Sequence, residues 1–356
     1  MPRKERVGAL KNLEKACKSP VISYVTGDRH PAISGQIAED AVRVIYEHLQ
    51  ALGSQDRINL FLYTRGGDLM APPRIVRLIR EYAKEFYALV PYRAHSAGTS
   101  ICLGADFIIM GKMGELSPVD PSTVGPFNPQ AVQGDPRNPQ TKIPISVEDV
   151  RAYLFLSTEK ANLTSEQQRI ETFRALTSQV NPLALGNIQR VLDVIRFLTP
   201  ELLDFQLKTP EEKIRITEIT KVLTEKYTHD NLISRDLAEK IGLKVTKPDG
   251  NLESAMWSLY EAYERDLELR KVFDPEEILG DQESRRITCD VAYIETVHKG
   301  HAFSLEAIIS RRVQPTPLPP MPTPMPIQPR PPVTGEFDVK LKAKGWREIR
   351  GEEEEK

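Results

Sequence analysis

Cysteine is scarce in this chain: Cys17, Cys102 and Cys289 are all that 356 residues contain. They are odd in number, far apart and without metal-type spacing, which argues against a disulfide framework and offers no zinc motif. No cofactor and no metal are therefore expected, and the chain reads as a protein of a reducing compartment, the cytoplasm. An excess of one charge is missing too. Lys and Arg number 48 against 50 Asp and Glu, a net charge of -2, so there is no general case for nucleic acid or an acidic membrane as partner. Long apolar runs are absent. Nothing after Met1-Pro2-Arg3-Lys4-Glu5-Arg6 resembles a signal peptide, and no stretch is long and apolar enough to span a bilayer.

What remains is the composition of an ordinary soluble protein, 40% hydrophobic and 28% charged. The length exceeds one typical domain, so one large core with appendages, or two domains, is expected. Residues 1–20 read as a charged helix or arm. Val21-Ile22-Ser23-Tyr24-Val25 reads as a first strand, and Ile37, Ala41, Val44, Ile45 and Leu49 recur at helical spacing over 36–51. The run Ile58 to Tyr63 is nearly continuous in apolar content, as in a strand covered on both faces. Phe86 to Val90 and Phe107 to Met110 add strands, and Ile75, Leu78, Ile79 and Tyr82 mark a helix between the strand at 58–63 and that at 86–90. Strands alternating with helices over 21–125 imply an α/β core with a mainly parallel sheet.

After Gly125 the pattern changes. Residues 126–144 are rich in Pro, Gln, Asn and Gly, as in a loop or lid. Residues 146–227 read as mostly helical with breaks at Asn181-Pro182, Thr199-Pro200 and Thr209-Pro210, and a helix from Ser234 ends at Gly242. Residues 252–272 form another helix by spacing. Residues 286–310 read as a β-prone run, Ile287 to Ile294, followed by a final short helix. Pro315 to Pro332 is too dense in proline for helix or sheet and reads as an extended linker without fixed structure. The end, closed by Glu352-Glu353-Glu354-Glu355, reads as a solvated tail.

Chemistry concentrates in two small-residue turns. Ser96-Ala97-Gly98 follows the strand at 86–90, and Gly66-Gly67 follows the strand at 58–63. In a parallel α/β sheet the carboxyl ends of strands share one edge, so the two turns should meet in one crevice. Taken alone, Ser96 reads as an N-cap before it reads as a nucleophile, and the glycine pair as a plain turn. Together they read as a nucleophile beside backbone donors. Glycines without a Cβ can aim N–H groups at a ligand, and one of Gly66 and Gly67 with the N–H of Ala97 would make a two-donor oxyanion hole.

These residues carry a resemblance. Thr64-Arg65-Gly66-Gly67-Asp68 and His95-Ser96-Ala97-Gly98, with Gly104-Ala105-Asp106-Phe107-Ile108-Ile109-Met110, resemble the Clp-protease and signal-peptide-peptidase-A superfamily. Gly27-Asp28-Arg29 and Glu115-Leu116-Ser117-Pro118-Val119-Asp120-Pro121 narrow it to the serine dehydrogenase proteinase family. The resemblance implies a Clp/crotonase-type α/β fold of repeated strand-turn-helix units with a helical extension. It covers roughly residues 20–250, and with the composition it divides the chain into an arm (1–20), a Clp/crotonase-like serine peptidase domain (21–250, helical over 146–227), an α/β extension (251–312), a Pro-rich linker (313–336) and a charged tail (337–356). It implies a serine peptidase with Ser96 as nucleophile and Gly67 and Ala97 as oxyanion donors. Where Clp-type enzymes carry a His this chain reads Ser117-Pro118-Val119-Asp120-Pro121-Ser122, so a Clp-type triad is not expected. The signal-peptide-peptidase pattern points instead to Lys142 in Thr141-Lys142-Ile143-Pro144, a base only if it is neutral. His95 and His229 are rival bases. Arg65 stands where a small residue is usual, which places a guanidinium at the cleft. The implied partners are a peptide or unfolded protein as substrate, further copies of the chain, and a separate unfolding or adaptor protein. Two other functions fit the fold: an acyl-CoA hydratase-like enzyme using the same hole without a nucleophile, and a non-catalytic scaffold.

Overall fold

A computed structural model describes residues 3–30, 33–119, 122–123, 126–129, 143, 145–226, 231–311 and 337–349. The chain opens with α1 (Arg3–Cys17), β1 (Val21–Thr26), α2 (Asp40–Leu52), β2 (Gln55–Tyr63), α3 (Ala71–Tyr82) and β3 (Ala83–Val90). Next come β4 (Arg93–Ala94), α4 (Ala97–Leu103), β5 (Phe107–Met110) and β6 (Glu115–Leu116). The short pair β7 (Ser122–Thr123) and β8 (Ile145–Ser146) precedes α5 (Val147–Phe155), α6 (Glu166–Gln179), α7 (Pro182–Gln206), α8 (Pro210–Lys213) and α9 (Ile216–Lys221). The remainder is β9 (Ile233–Ser234), α10 (Arg235–Ile241), β10 (Val245–Thr246), α11 (Gly250–Asp266), α12 (Pro275–Leu279), β11 (Ser284–Glu295), β12 (Gly300–Arg311) and β13 (Phe337–Glu348).

The main sheet has eight strands in the order β10-β5-β3-β2-β1-β11-β12-β13. From β10 to β1 all neighbours are parallel, as the strand-helix alternation implies; from β1 to β13 they are antiparallel. The central strand shows why the apolar run of β2 is unbroken. Leu60 and Leu62 pack on the side covered by α2, α3 and α4, while Phe61 and Tyr63 pack on the side of α1 and α11. Successive side chains of a strand point to opposite faces, so a strand between two helical layers needs apolar residues at every position. Each such fully buried side chain contributes about 1.5–3 kcal/mol. The α1–α11 layer is fastened by buried charge: Arg6 Nε lies 2.7 Å from Glu295 Oε2, Arg6 also bonds Asp266, and Tyr263 OH donates to Glu295 Oε2 at 2.8 Å.

Three elements differ from the sequence reading. Pro200 lies inside α7 instead of breaking it. Proline forfeits one helical hydrogen bond, but Leu198, Thr199, Leu202, Leu203 and Gln206 around it are buried. Gln206 also donates to Ala105 O at 3.1 Å and accepts from Lys244 N–H at 2.9 Å, so packing holds the helix through the proline. The final short helix is instead β12. A tight turn in which Thr296 N–H donates to Lys299 O (2.8 Å) reverses the chain, and β12 then pairs along its whole length with β11 and β13. The reading of 337 onward as a solvated tail fails over Phe337–Glu348, which is the edge strand β13. Its Trp346 meets Tyr24 and Phe303 edge-on, anchoring a segment whose high charge had masked its period-2 pattern. The Pro-rich linker lies outside the described residues.

Candidate active site

The turns after β2 and β4 are zipped together by backbone. Thr64 N–H donates to Arg93 O (2.9 Å), and His95 N–H donates back to Thr64 O (3.1 Å). A Cβ on Gly98 would stand 2.5 Å from Thr64 Cγ2, so the second turn approaches this closely only without a side chain there. The ladder sets Gly66 against the serine: a Cβ on Gly66 would lie 2.8 Å from Ser96 Cβ and 3.3 Å from Ser96 Oγ. Gly67 is pinned on its other side. Gly66 O accepts from Ile37 N–H at 2.9 Å, Ile37 O accepts from Asp68 N–H at 2.7 Å, and a Cβ on Gly67 would come within 2.0 Å of Ile37 O.

Ser96 adopts φ 49° and ψ -108° immediately before α4. A positive φ is costly for a residue with a Cβ, of order 1–3 kcal/mol, and persists only where neighbours enforce it. Here they do. Ser96 N–H donates to Ser117 Oγ (2.8 Å), Ser117 Oγ donates to Pro118 O (3.0 Å), and Thr99 Oγ1 donates to Ala94 O (2.8 Å) and accepts from Ser117 N–H (3.1 Å). Ser96 makes no side-chain cap bond to α4, and its residue is half-buried. The N–H groups around it divide into two sets. Gly66 N–H donates to Thr64 Oγ1 (3.0 Å) and Gly98 N–H to His95 O (2.8 Å). The N–H groups of Gly67 and Ala97 have no acceptor among the described residues. Unpaired backbone donors beside a strained serine suit an oxygen that acquires negative charge.

Beside the serine runs a charged relay. His95 is buried, and its Nε2 lies 3.1 Å from Glu115 Oε1, an oxygen also bonded by Arg93 Nε at 3.2 Å. Arg93 Nη1 reaches Asp28 Oδ2 at 3.1 Å, and Arg65 Nε donates to the same oxygen at 2.6 Å; Tyr63 OH donates to Asp28 Oδ1 at 2.9 Å. The His95 imidazole is thus engaged by a carboxylate. Lys142, His229 and Asp120 lie outside the described residues. Among the described residues, no group of three or more His, Cys, Asp and Glu is placed to hold a metal ion. The thiols are poor nucleophiles: burial pushes that of Cys17 up to about 12 and raises that of Cys102 further.

Sequence reasoning assigned no role at the serine to Ser117, Thr99 or Glu115. Two of these, Glu115 and Ser117, stand in the Glu115-Leu116-Ser117-Pro118 segment that carried the family resemblance. Their place became visible only once β6 was seen beside β4, with Arg93 opposite Glu115.

Residues 4–136 match the family model described as ClpP-like SDH-type serine proteinase. Over that segment the family resemblance holds. That segment includes both turns, Asp28, Glu115 and Ser117, and it is similar to serine-type peptidases, which are hydrolases. The chain is 28% identical over 233 residues to an uncharacterised protein of Methanocaldococcus jannaschii, MJ0137, covering 65% of this chain and 67% of that one. A second uncharacterised protein of that organism, MJ1495, is 38% identical over 64 residues, 18% of this chain and 22% of its own. Among solved structures, a mutant of the 1510-N membrane-bound stomatin-specific protease overlaps 61% of this chain and 77% of its own at 19% identity, with a TM-score of 0.35. A ClpP1 mutant from Listeria monocytogenes overlaps 70% and 98% at 12% identity, with a TM-score of 0.31. Among the described residues, no helix is long and apolar enough to cross a membrane.

Proposed function

We propose that this chain cleaves peptide bonds through an acyl-enzyme on Ser96, with Lys142 as general base and the N–H groups of Gly67 and Ala97 as oxyanion hole. Ser96 Oγ attacks the scissile carbonyl carbon and gives its proton to a neutral Lys142 Nζ. The carbonyl oxygen gathers negative charge against the two N–H donors. As the C–N bond breaks, the lysine returns the proton to the departing amine; water then hydrolyses the ester by the same path. A lysine serves this role only when burial keeps it uncharged. One observation carries the reading: a serine held at positive φ in contact with Gly66, beside two backbone N–H groups without acceptors. Donors of this kind are each worth about 3–4 kcal/mol in a transition state. The substrate is an extended peptide laid along the edge beside Gly67. Further copies of the chain complete the assembly, a reading supported by α6, which buries no residue of its own and leaves Ile170 and Phe173 exposed.

Reaction with a fluorophosphonate probe, followed by peptide mapping, tests the nucleophile. The expected adduct is on Ser96, absent in Ser96→Ala, with a rate that rises with pH as the lysine loses its proton. An adduct elsewhere, or none at any pH, refutes the reading.

A further inference from the structure

Arg65 is oddly placed for a residue whose neighbours are the two glycines beside the nucleophile. Its Nε is fixed to Asp28 Oδ2 at 2.6 Å, yet its side chain remains 56% exposed while that of Asp28 is 11% exposed. Asp28 is itself immobilised, one oxygen taking Tyr63 OH and the other shared with Arg93 Nη1. The guanidinium is therefore oriented from behind, through a single nitrogen. A guanidinium carries five N–H donors in a planar fork, and among the described residues the two terminal nitrogens of Arg65 have no hydrogen-bond acceptor. Arg65 and Arg93 share the one carboxylate of Asp28, and the next carboxylate, Glu115, is divided between Arg93 and His95.

We propose that Arg65 selects substrates bearing a carboxylate, an Asp or Glu side chain of the bound peptide, by a two-pronged contact from its terminal nitrogens. This rests on the peptidase reading for its ligand class but not on hydrolysis for its test. A guanidinium already held in one geometry loses little freedom on binding, so the contact adds affinity where a free surface arginine would add almost none. Asp28 is the positioning residue: it holds the guanidinium of the residue that precedes Gly66 and Gly67 in the turn.

The experiment uses the full chain carrying Ser96→Ala, which cannot turn over substrate. Fluorescein-labelled octapeptides of Ala and Gly are made in pairs that differ only by Glu or Gln at one position, scanned along the peptide, and binding is read by fluorescence anisotropy. At one or two positions the Glu peptide is expected to bind about tenfold tighter than its Gln twin, the worth of a charge-assisted pair at a partly exposed site. That ratio falls to near one with Arg65→Gln added and is partly kept with Arg65→Lys, each variant first shown to be folded by its near-ultraviolet circular dichroism. Equal binding of the twins at every position, no binding of any peptide, or a preference that survives Arg65→Gln overturns the proposal. Its fate is separable from that of the peptidase reading: fluorophosphonate labelling of Ser96 with no Glu preference sinks Arg65 alone, and a Glu preference that Arg65→Gln abolishes, without labelling, sinks the nucleophile alone.

Discussion

Ser96 N–H donates to Oγ of Ser117 at 2.8 Å, and this bond joins the strained turn to the loop that follows β6. Because Ser117 Oγ donates onward to Pro118 O, the hydroxyl is committed in both directions. Removing it strands a backbone N–H at the one residue whose conformation most needs support.

Ser117→Ala is accordingly expected to lower stability by about 1–3 kcal/mol, the usual cost of an unsatisfied buried donor. It should also slow fluorophosphonate labelling of Ser96 by about tenfold, since the serine relaxes from its positive φ. Urea denaturation and labelling rate together check this. A loss of stability at an unchanged labelling rate means that the bond holds the loop and not the nucleophile.

The two glycines separate in the same assays. Gly67→Ala sets a methyl 2.0 Å from a backbone carbonyl at φ +154°, and neither backbone can retreat without breaking the bonds between Ile37 and the loop. A loss of more than about 3 kcal/mol, or failure to fold, is expected. At Gly66 the methyl meets Ser96 Cβ at 2.8 Å, so Gly66→Ala is expected to keep most secondary structure, read by circular dichroism, and to lose labelling. Full labelling in Gly66→Ala means that Ser96 reacts in a geometry other than the one described.

Arg6 tests the helical layer. It is buried between the carboxylates of Glu295 and Asp266, and it also stacks over the Tyr293 ring at 4.2 Å. Arg6→Met takes from both buried carboxylates the cation they share and leaves Glu295 with Arg3, 3.3 Å away, which costs about 3–5 kcal/mol. Adding Glu295→Gln removes one of those charges and is expected to restore part of the loss, a coupling that a double-mutant cycle measures. Independent, additive losses mean that the pair does not act as a unit.

How far the chain could be read in advance depended on where each determinant sits. The parallel half of the sheet was legible because its strands are buried on both faces and its turns are marked by Gly27, Gly66, Gly67 and Gly98. The β12 segment was not: Phe303-Ser304-Leu305-Glu306-Ala307 alternates as a strand does, but Leu305, Ile308 and Ile309 also fall at helical spacing, and pairing with β11 and β13 on either side decides for the strand. Proline at 200 looked like a break because local rules cannot see what buries Leu202 and Leu203. At the site, Ser96 and the glycine pair could be picked out as types of residue in turns. Their contact depends on Thr64 pairing with Arg93 and His95, a relation between segments that periodicity does not express.

The pair His48 and His301 ties stability to pH. His48 Nε2 lies 3.1 Å from His301 Nδ1, with Thr296 Oγ1 3.4 Å from His48 Nδ1 and Glu47 Oε2 3.4 Å from His301 Nε2. Burial, then His301, Lys299 and Arg3, depress His48 from its ordinary 6.5 to about 3. Burial also lowers His301, against the pull of Glu47 and Glu348. Both imidazoles are thus neutral when folded at pH values where the unfolded chain protonates them. For His48, stability is full above about 6.5 and declines as pH falls toward 3, by up to about 1.4 kcal/mol per pH unit, and the lowered His301 acts in the same direction. Glu47 adds nothing in the upper part of this window, because its carboxyl is held below 4.5 by Lys299. Urea midpoints for the native sequence and His48→Gln, at pH 7, 6 and 5, check the sign. The native chain is expected to lose stability more steeply than the variant as pH falls, and parallel slopes mean that His48 takes up its proton without unfolding.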